Sequence, residues 1–394
     1  MILNKELLAQ SLRHLLRTTP RKPTLPILSC VKIAAVEGAI LLTTTDLERE
    51  TTISIPAPKP IGLAAKLAAK RAVPLVVPAS VLANCAKSAD AGSDIHITDK
   101  SVTFQLAGSW SAVPVEGYPA EEWPSSPTGA ETLVGARFGF GSDRIKRLLR
   151  CVSTDETRYV LCGIYWDKSG DLVATDGRRL HLENSGTACP VENGIIIPTA
   201  ACKLIPENAS VSLISTSNEE PPRFMVFTAQ EKILTIRILS KLLEGKYPNY
   251  RNVIPEPSSK TLRFNNEQAA ASLRKLAAMA KKTSVRLTPS DHAITFSVKE
   301  YYDGTPCGSF TQPAVITGAL ESITFDTGYL ITALENGGDC IDYADGLSPG
   351  LITGIGNRTH VLMAMRTTDS APKPSTPEPD DEPCEEEEEE PCEA

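Results

Sequence analysis

The chain has 394 residues, 41% hydrophobic and 22% charged, an ordinary globular balance; a chain of this length usually exceeds one core, so about three domains of common size are expected. No run approaches the roughly 20 apolar residues of a membrane-spanning helix, and the first ten residues, with acidic Glu6 and no long apolar stretch, argue against a secretory signal. The formal charge of -8 is lopsided: residues 371–394 hold eleven acidic residues against one lysine, so the remaining body stands near +2 and its partners depend on how that charge is distributed.

The first stretch reads as a short strand at 1–3 and a helix capped by Asn4, with Leu8, Leu12, Leu15 and Leu16 at helical spacing. Arg13, Arg17, Arg21 and Lys22 gather at its end and in the link beyond, where cations suit either the helix dipole or a phosphate. Strands follow at 27–34 and 39–45, joined at Glu37-Gly38, and Val77-Pro78-Ala79 leads from a strand into a helix bearing Val81, Leu82 and Cys85. The basic stretch 66–71 reads as an insertion or surface loop.

The same order recurs twice. Ser142-Asp143 caps a helix with Ile145, Leu148 and Leu149 on one side and Arg144, Lys146, Arg147 and Arg150 on the rest. Strands at 159–166 and 171–174 follow, and Ile197-Pro198-Thr199 again leads from strand to helix. In the third copy Leu273, Leu276 and Met279 form the apolar stripe beside Arg274, Lys275, Lys281 and Lys282, with strands at 284–287 and 292–298 and a helix around Tyr329–Leu334. Gly117-Tyr118-Pro119 with Trp123-Pro124, and Lys246-Tyr247-Pro248-Asn249-Tyr250, read as equivalent closing loops. A period of roughly 130 residues points to a scaffold of copies sharing one surface. Boundaries are expected at 124–133 and 255–260, giving domains 1–126, 127–257 and 258–367. From 368 to 394 the Pro-Glu-Asp composition predicts a disordered acidic tail.

Catalytic chemistry finds no foothold. His14, His96, His181, His292 and His360 lie in separate segments, and the chain has no HExxH, GxSxG or P-loop motif. Asp176, between Thr175 and Gly177, reads as a turn residue. Ten cysteines occur without CxxC or paired-histidine spacing, which favours buried thiols in a reducing compartment over disulfides or zinc. No catalytic residue, metal or cofactor is expected.

The stretch Lys22-Pro23-Thr24-Leu25-Pro26-Ile27-Leu28, followed by Thr44-Thr45-Asp46-Leu47-Glu48, resembles the first domain of the bacterial sliding clamps, the DNA polymerase III beta subunits. Arg158-Tyr159 with Leu161 and Gly163, Ala174-Thr175-Asp176-Gly177-Arg178-Arg179-Leu180 and Tyr247-Pro248-Asn249-Tyr250-Arg251 are similar to its second domain, and Val361-Leu362-Met363-Ala364-Met365-Arg366 to its closing segment. The resemblance implies an α+β clamp fold of three similar domains, each with two helices packed against antiparallel sheets, in a ring-shaped, head-to-tail homodimer around duplex DNA. It implies a non-catalytic processivity factor of the cytoplasm and nucleoid, partnered by the DNA polymerase III alpha subunit, a clamp loader and other clamp-motif proteins.

Basic helices facing the hole would touch phosphates without reading bases; the candidates are Arg13, Arg17, Lys22, Arg144, Arg147, Arg150, Arg274 and Lys275. By position, the resemblance implies a partner-peptide cleft lined by Leu161, Thr175, Gly177, Arg178, Arg179, Leu180, Pro248, Asn252, Val253, Val361, Leu362, Met363 and Met365. The chain departs from the pattern at Arg178, where histidine is frequent, at Asn252, where a basic residue is common, at Ala364 in place of proline, and in the extension past Arg366. These departures point to altered partner preference. A second reading is a clamp-derived peptide-binding scaffold whose DNA binding is reduced or regulated by the tail.

Overall fold

The computed structural model of the chain describes residues 1–57, 73–127, 129–135, 141–215, 221–354, 356 and 358–366. The basic stretch 66–71 and the acidic segment from 368 onward lie outside the described residues.

Three consecutive runs, Ile2 to Pro114, Ala130 to Lys241 and Thr261 to Leu362, repeat one order: strand, helix, three strands, then strand, helix, three strands. Among the described residues the α-helices are α1 (Lys5–Thr18), α2 (Ala79–Ser88), α3 (Ser142–Leu149), α4 (Thr199–Cys202), α5 (Asn266–Ala277) and α6 (Thr327–Glu335). Local chemistry sets their ends. Asn4 Oδ1 accepts from the Glu6 and Leu7 amides at 3.0 and 3.4 Å, Asn265 Oδ1 from Gln268 at 2.8 Å and Asp326 Oδ1 from Tyr329 at 3.0 Å, each satisfying amides that a helix start leaves open. Along α1, Leu8, Leu12 and Leu15 are buried while Arg13, Leu16 and Arg17 face out.

The structure moves several expected boundaries. Residues 27–29 belong to a 3₁₀ turn begun by Pro26, whose fixed φ suits a first helical position, and the strand starts at Cys30. Residues 159–161 likewise lie in a 3₁₀ segment, Glu156–Leu161, capped by Asp155 Oδ1 on the Thr157 amide at 3.1 Å; the strand is only Gly163–Trp166. Helix α3 starts at Ser142 with Gly141 at its cap position, so the expected Ser142-Asp143 cap sits one residue inside the helix.

Among the described residues all strand pairs are antiparallel, and two sheets run across the boundaries between runs. In the eight-stranded sheet, Arg49–Pro56 pairs with Leu234–Lys241, with Arg49 opposite Ser240. In the twelve-stranded sheet, Arg179–Asn184 pairs with Arg358–Leu362, with Arg179 opposite Leu362. Each seam joins the strand that closes the first half of one run to the last strand of the next. One apolar cluster runs through the first two runs, around Trp166 and Phe227, and another fills the third, around Phe296, Phe325 and Tyr343.

The helices also meet across the seams. Arg17 at the end of α1 donates to the Lys203 carbonyl at the end of α4, and His14 Nε2 lies 2.9 Å from Glu231. Arg150, after α3, pairs with Glu335 of α6 at 2.9 Å. Side chains of the three runs therefore touch from helix to helix on one side while the strands join on the other.

Candidate functional site

The second seam carries a cavity of 140 Å³ whose wall is overwhelmingly apolar. Its floor is the register pair Leu180 and Val361, both buried, with Leu161 beside them. One wall is Tyr247, Pro248, Asn249, Tyr250 and Val253; the other is Thr175, Gly177, Arg178 and Arg179 of the turn 175–179, with Met363.

That turn is built by its own side chains. Thr175 Oγ1 donates to the Arg179 carbonyl at 2.6 Å and accepts from the Gly177 amide at 3.1 Å, while Asp176 Oδ1 accepts from the amides of Arg178 and Arg179 at 3.0 and 3.2 Å. Gly177 takes φ +89, the left-handed region that favours glycine. Arg179 closes the turn on Asp176 at 3.0 Å and lies over the Tyr329 ring, 4.3 Å from its centroid. The turn reading of Asp176 is thereby accounted for in full: its carboxylate is occupied by the backbone and by Arg179.

The first seam repeats this device. Thr45 Oγ1 donates to the Arg49 carbonyl at 2.9 Å, Leu47 N donates to Thr45 Oγ1 at 3.1 Å, and Asp46 Oδ1 accepts from Glu48 and Arg49. The substituents differ where it matters. Leu47 stands in place of Gly177 at φ +78, Glu50 in place of Leu180, and Lys241, whose amide donates to Glu48 O, in place of Met363, whose amide donates to Arg178 O. Buried Glu50 accepts from Ser126 there, so the equivalent floor is polar.

Of the expected cleft residues, Leu161, Thr175, Gly177, Arg178, Arg179, Leu180, Pro248, Val253, Val361 and Met363 line this one cavity, and Asn252, Leu362 and Met365 do not. Strand alternation explains Leu362: its side chain points away from Val361 and packs into the third run's core. The Met365 amide is held by the Thr324 carbonyl at 2.8 Å, and the Asn252 carboxamide turns to Asn249 at 3.1 Å. Tyr247, Asn249 and Tyr250 line it as well, beyond the expected set, although their loop motif is visible in the sequence.

The expected cations divide. Arg13, Lys22 and Lys275 are exposed, without an ion-pair partner among the described residues. Arg144 and Arg147 turn to the buried carboxylate of Glu183, Arg147 at 2.6 and 2.9 Å and Arg144 at 3.3 Å. Arg150 and Arg274 share Glu335, and Arg17 is used by a carbonyl. A helical charge pattern does not reveal acidic partners that arrive from other elements.

Glu183 anchors a buried cluster on the second seam. Burial alone would raise its pKa, but hydrogen bonds from Arg147 and His181 outweigh burial and hold its carboxyl well below the usual range. His181 lies 2.8 Å from it and stacks on His360 across the seam, ring centroids 3.9 Å apart. Burial lowers the pKa of both histidines, that of His360 strongly.

Residues 1–127 match the family described as DNA polymerase III beta subunit, N-terminal domain. A beta sliding clamp of Chlamydia muridarum is 25% identical over 386 residues, covering 93% of this chain and 99% of its own. One from Halalkalibacterium halodurans is 28% identical over 273 residues, 65% of this chain and 68% of its own. Over most of its length the chain is similar to bacterial beta sliding clamps. The fold agrees: the Bartonella birtlesii clamp superposes with a TM-score of 0.75 at 24% identity, covering 93% of this chain and 99% of that one, and the Caulobacter crescentus clamp with 0.74 at 22%, covering 93% and 99%. Among the described residues, no helix is long and apolar enough to cross a membrane, and no group of three or more His, Cys, Asp or Glu side chains is placed to hold a metal ion.

Proposed function

We propose that this protein is a non-catalytic processivity factor, a ring-shaped homodimer that encircles duplex DNA and tethers a replicative polymerase, a clamp loader and other motif-bearing partners through the cleft at the second seam. In this reading the domains are 1–126, 127–257 and 258–367.

The observation that carries the ring is the rule of the seams. Each seam pairs the strand that closes the first half of one run with the last strand of the next, and one strand of each kind is left over. Among the described residues, Ser109–Pro114, the last strand of the first run, pairs on one side only, and so do residues 306–313 of Pro306–Thr317 in the third run. Joining these edges between two chains, head to tail, repeats the same seam twice more and closes six domains. Trp110, 55% exposed on the first edge, and Met279, 68% exposed in the third run, supply apolar area for that contact.

Helices on the inner side would meet phosphates without base readout, leaving the ring able to slide. The cleft suits short apolar side chains of a linear motif, and tethering replaces repeated capture from solution with a local event. Retention on nicked circular DNA, with release after linearisation, is the expected result. Equal escape from both forms at low salt would overturn the ring.

The pairing of Arg144 and Arg147 with Glu183, and of Arg150 and Arg274 with Glu335, favours one alternative, a clamp-derived scaffold with weakened DNA contact. A dimer that binds motif peptide but shows no topological retention would select it.

A further inference from the structure

The cleft opens beside the point where the described chain ends. The bond from the Met365 amide to the Thr324 carbonyl pins the backbone two residues past Met363, which itself lines the cleft. Everything after Arg366 is therefore tethered at the rim.

Two arginines near this point have no ion-pair partner among the described residues: Arg178, exposed in the cleft wall, and exposed Arg366 at the root of the tether. Arg179 is different, being held by Asp176 and the Tyr329 ring. The tether carries eleven acidic residues between 371 and 394, with glutamate at every position from 385 to 390.

We propose that residues 378–394 of this chain dock across Arg178 and Arg366 at the mouth of the cleft and compete there with partner peptides. This rests on reading the cleft as the partner site. Carboxylate pairs with arginine are charge-assisted, and Arg178 accepts such a partner without giving up an existing one. A linker of about 20 residues has an r.m.s. reach of roughly 25 Å, and tethers of that length give effective concentrations in the millimolar range. The segment contains no Leu, Ile, Val, Phe or Met. It therefore covers the charged rim and leaves the Leu161, Leu180 and Val361 floor for apolar anchors. Partners displace it by filling what it leaves empty, and salt weakens it.

The test is fluorescence anisotropy with a fluorescein-labelled hexapeptide bearing two leucines and a terminal phenylalanine. It is titrated with the full chain and with a chain ending at Arg366. At low salt the shortened chain binds about three to ten times more tightly, the strength of a few exposed charge pairs, and the difference vanishes near ~0.5 M salt. In Arg178→Ala the ratio between long and short chains shrinks, and a synthetic peptide of residues 378–394 weakens binding to the short chain. Equal affinities across the salt series, with the hexapeptide bound to both, overturn the docking while leaving the cleft intact. Binding to neither chain overturns the cleft reading and the docking with it. Shortening that raises retention on DNA but leaves peptide affinity unchanged assigns the acidic segment to the helical side and overturns docking at the rim.

Discussion

The Tyr250 hydroxyl reaches Asp167 Oδ2 at 3.0 Å, and this contact holds one wall of the cleft against the turn between its second-run strands. Asp171 shares the same hydroxyl at 3.1 Å, Ser169 donates to Asp167 at 2.8 Å, and Arg251 lies 2.5 Å from Asp167 and over the Tyr250 ring. Burial alone would raise the Asp167 pKa, but hydrogen bonds from Arg251, Ser169 and Tyr250 outweigh it and hold the carboxyl far below its usual range. Asp167→Ala should loosen the segment from Tyr247 to Val253 and weaken motif-peptide binding about three- to tenfold, with a stability loss of about 1–3 kcal/mol. Peptide titration beside urea unfolding checks both. Unchanged affinity would show that the wall holds without the latch.

The stacked histidines set a pH dependence of opposite origin. Both folded pKa values are lowered by burial, so below the ordinary histidine value the unfolded chain binds more protons than the folded one. Stability is then greatest above about pH 6.5 and falls with acidification by up to about 1.4 kcal/mol per pH unit for each histidine. Asp167 and Glu183, depressed in the folded state, keep their contribution down to the ordinary carboxylate range and lose it only as pH falls through their folded values. Arg147, Arg179 and Arg358 face the pair and add to the cost of a charged ring. Melting curves between pH 5 and 7.5 should show the slope, and His181→Gln with His360→Gln should flatten it. A flat wild-type profile would contradict the assignment.

Removing the anchor of that cluster should be costly. Glu183→Ala strands Arg147 and Arg144 beside buried histidines and is expected to destabilise by about 3–5 kcal/mol, in line with breaking a buried ion pair. Denaturant unfolding measures it. A loss under ~1 kcal/mol would mean that the arginines find water or new partners at little cost.

At the proposed dimer edge, Trp110→Asp puts a charge on the open strand. The substitution should shift the chain from dimer to monomer by light scattering and remove retention on nicked circles, leaving the melting temperature of the monomer near wild type. In the cleft, Leu180→Asp and Met363→Asp should each weaken motif-peptide binding at least about tenfold without altering the dimer. A persistent dimer in the first case, or full peptide affinity in the second, refutes the respective surface.

What could be read in advance followed the range of the interactions involved. The Asn4 cap and the Leu8, Leu12 and Leu15 stripe are local, and the structure keeps them. Tyr159, Val160 and Leu161 before Gly163 are β-prone and predict strand, yet the Asp155 cap on Thr157 turns the backbone into a 3₁₀ segment first. Arg147 and Glu183 are 36 residues apart, so no helical periodicity could disclose their bond. Leu362 was placed in the cleft because it lies within a matching motif; alternation along Arg358–Leu362 sends it to the opposite face. The cleft itself was legible as a set of positions. Its difference from the first seam, where Glu50 fills the place of Leu180, emerged only with the register.

The repeated seam has a directional consequence. A ring assembled by one pairing rule used throughout is a polar object: every domain turns the same way, and its two faces cannot be exchanged by rotation. The second seam occurs once per chain, so both clefts of a closed dimer open toward one face. In the proposed dimer, a machine arriving on that face would meet two identical handles, and one arriving from the other side none. Loading direction would then decide which enzymes can be held, and two of them could share the ring and exchange places without leaving the DNA.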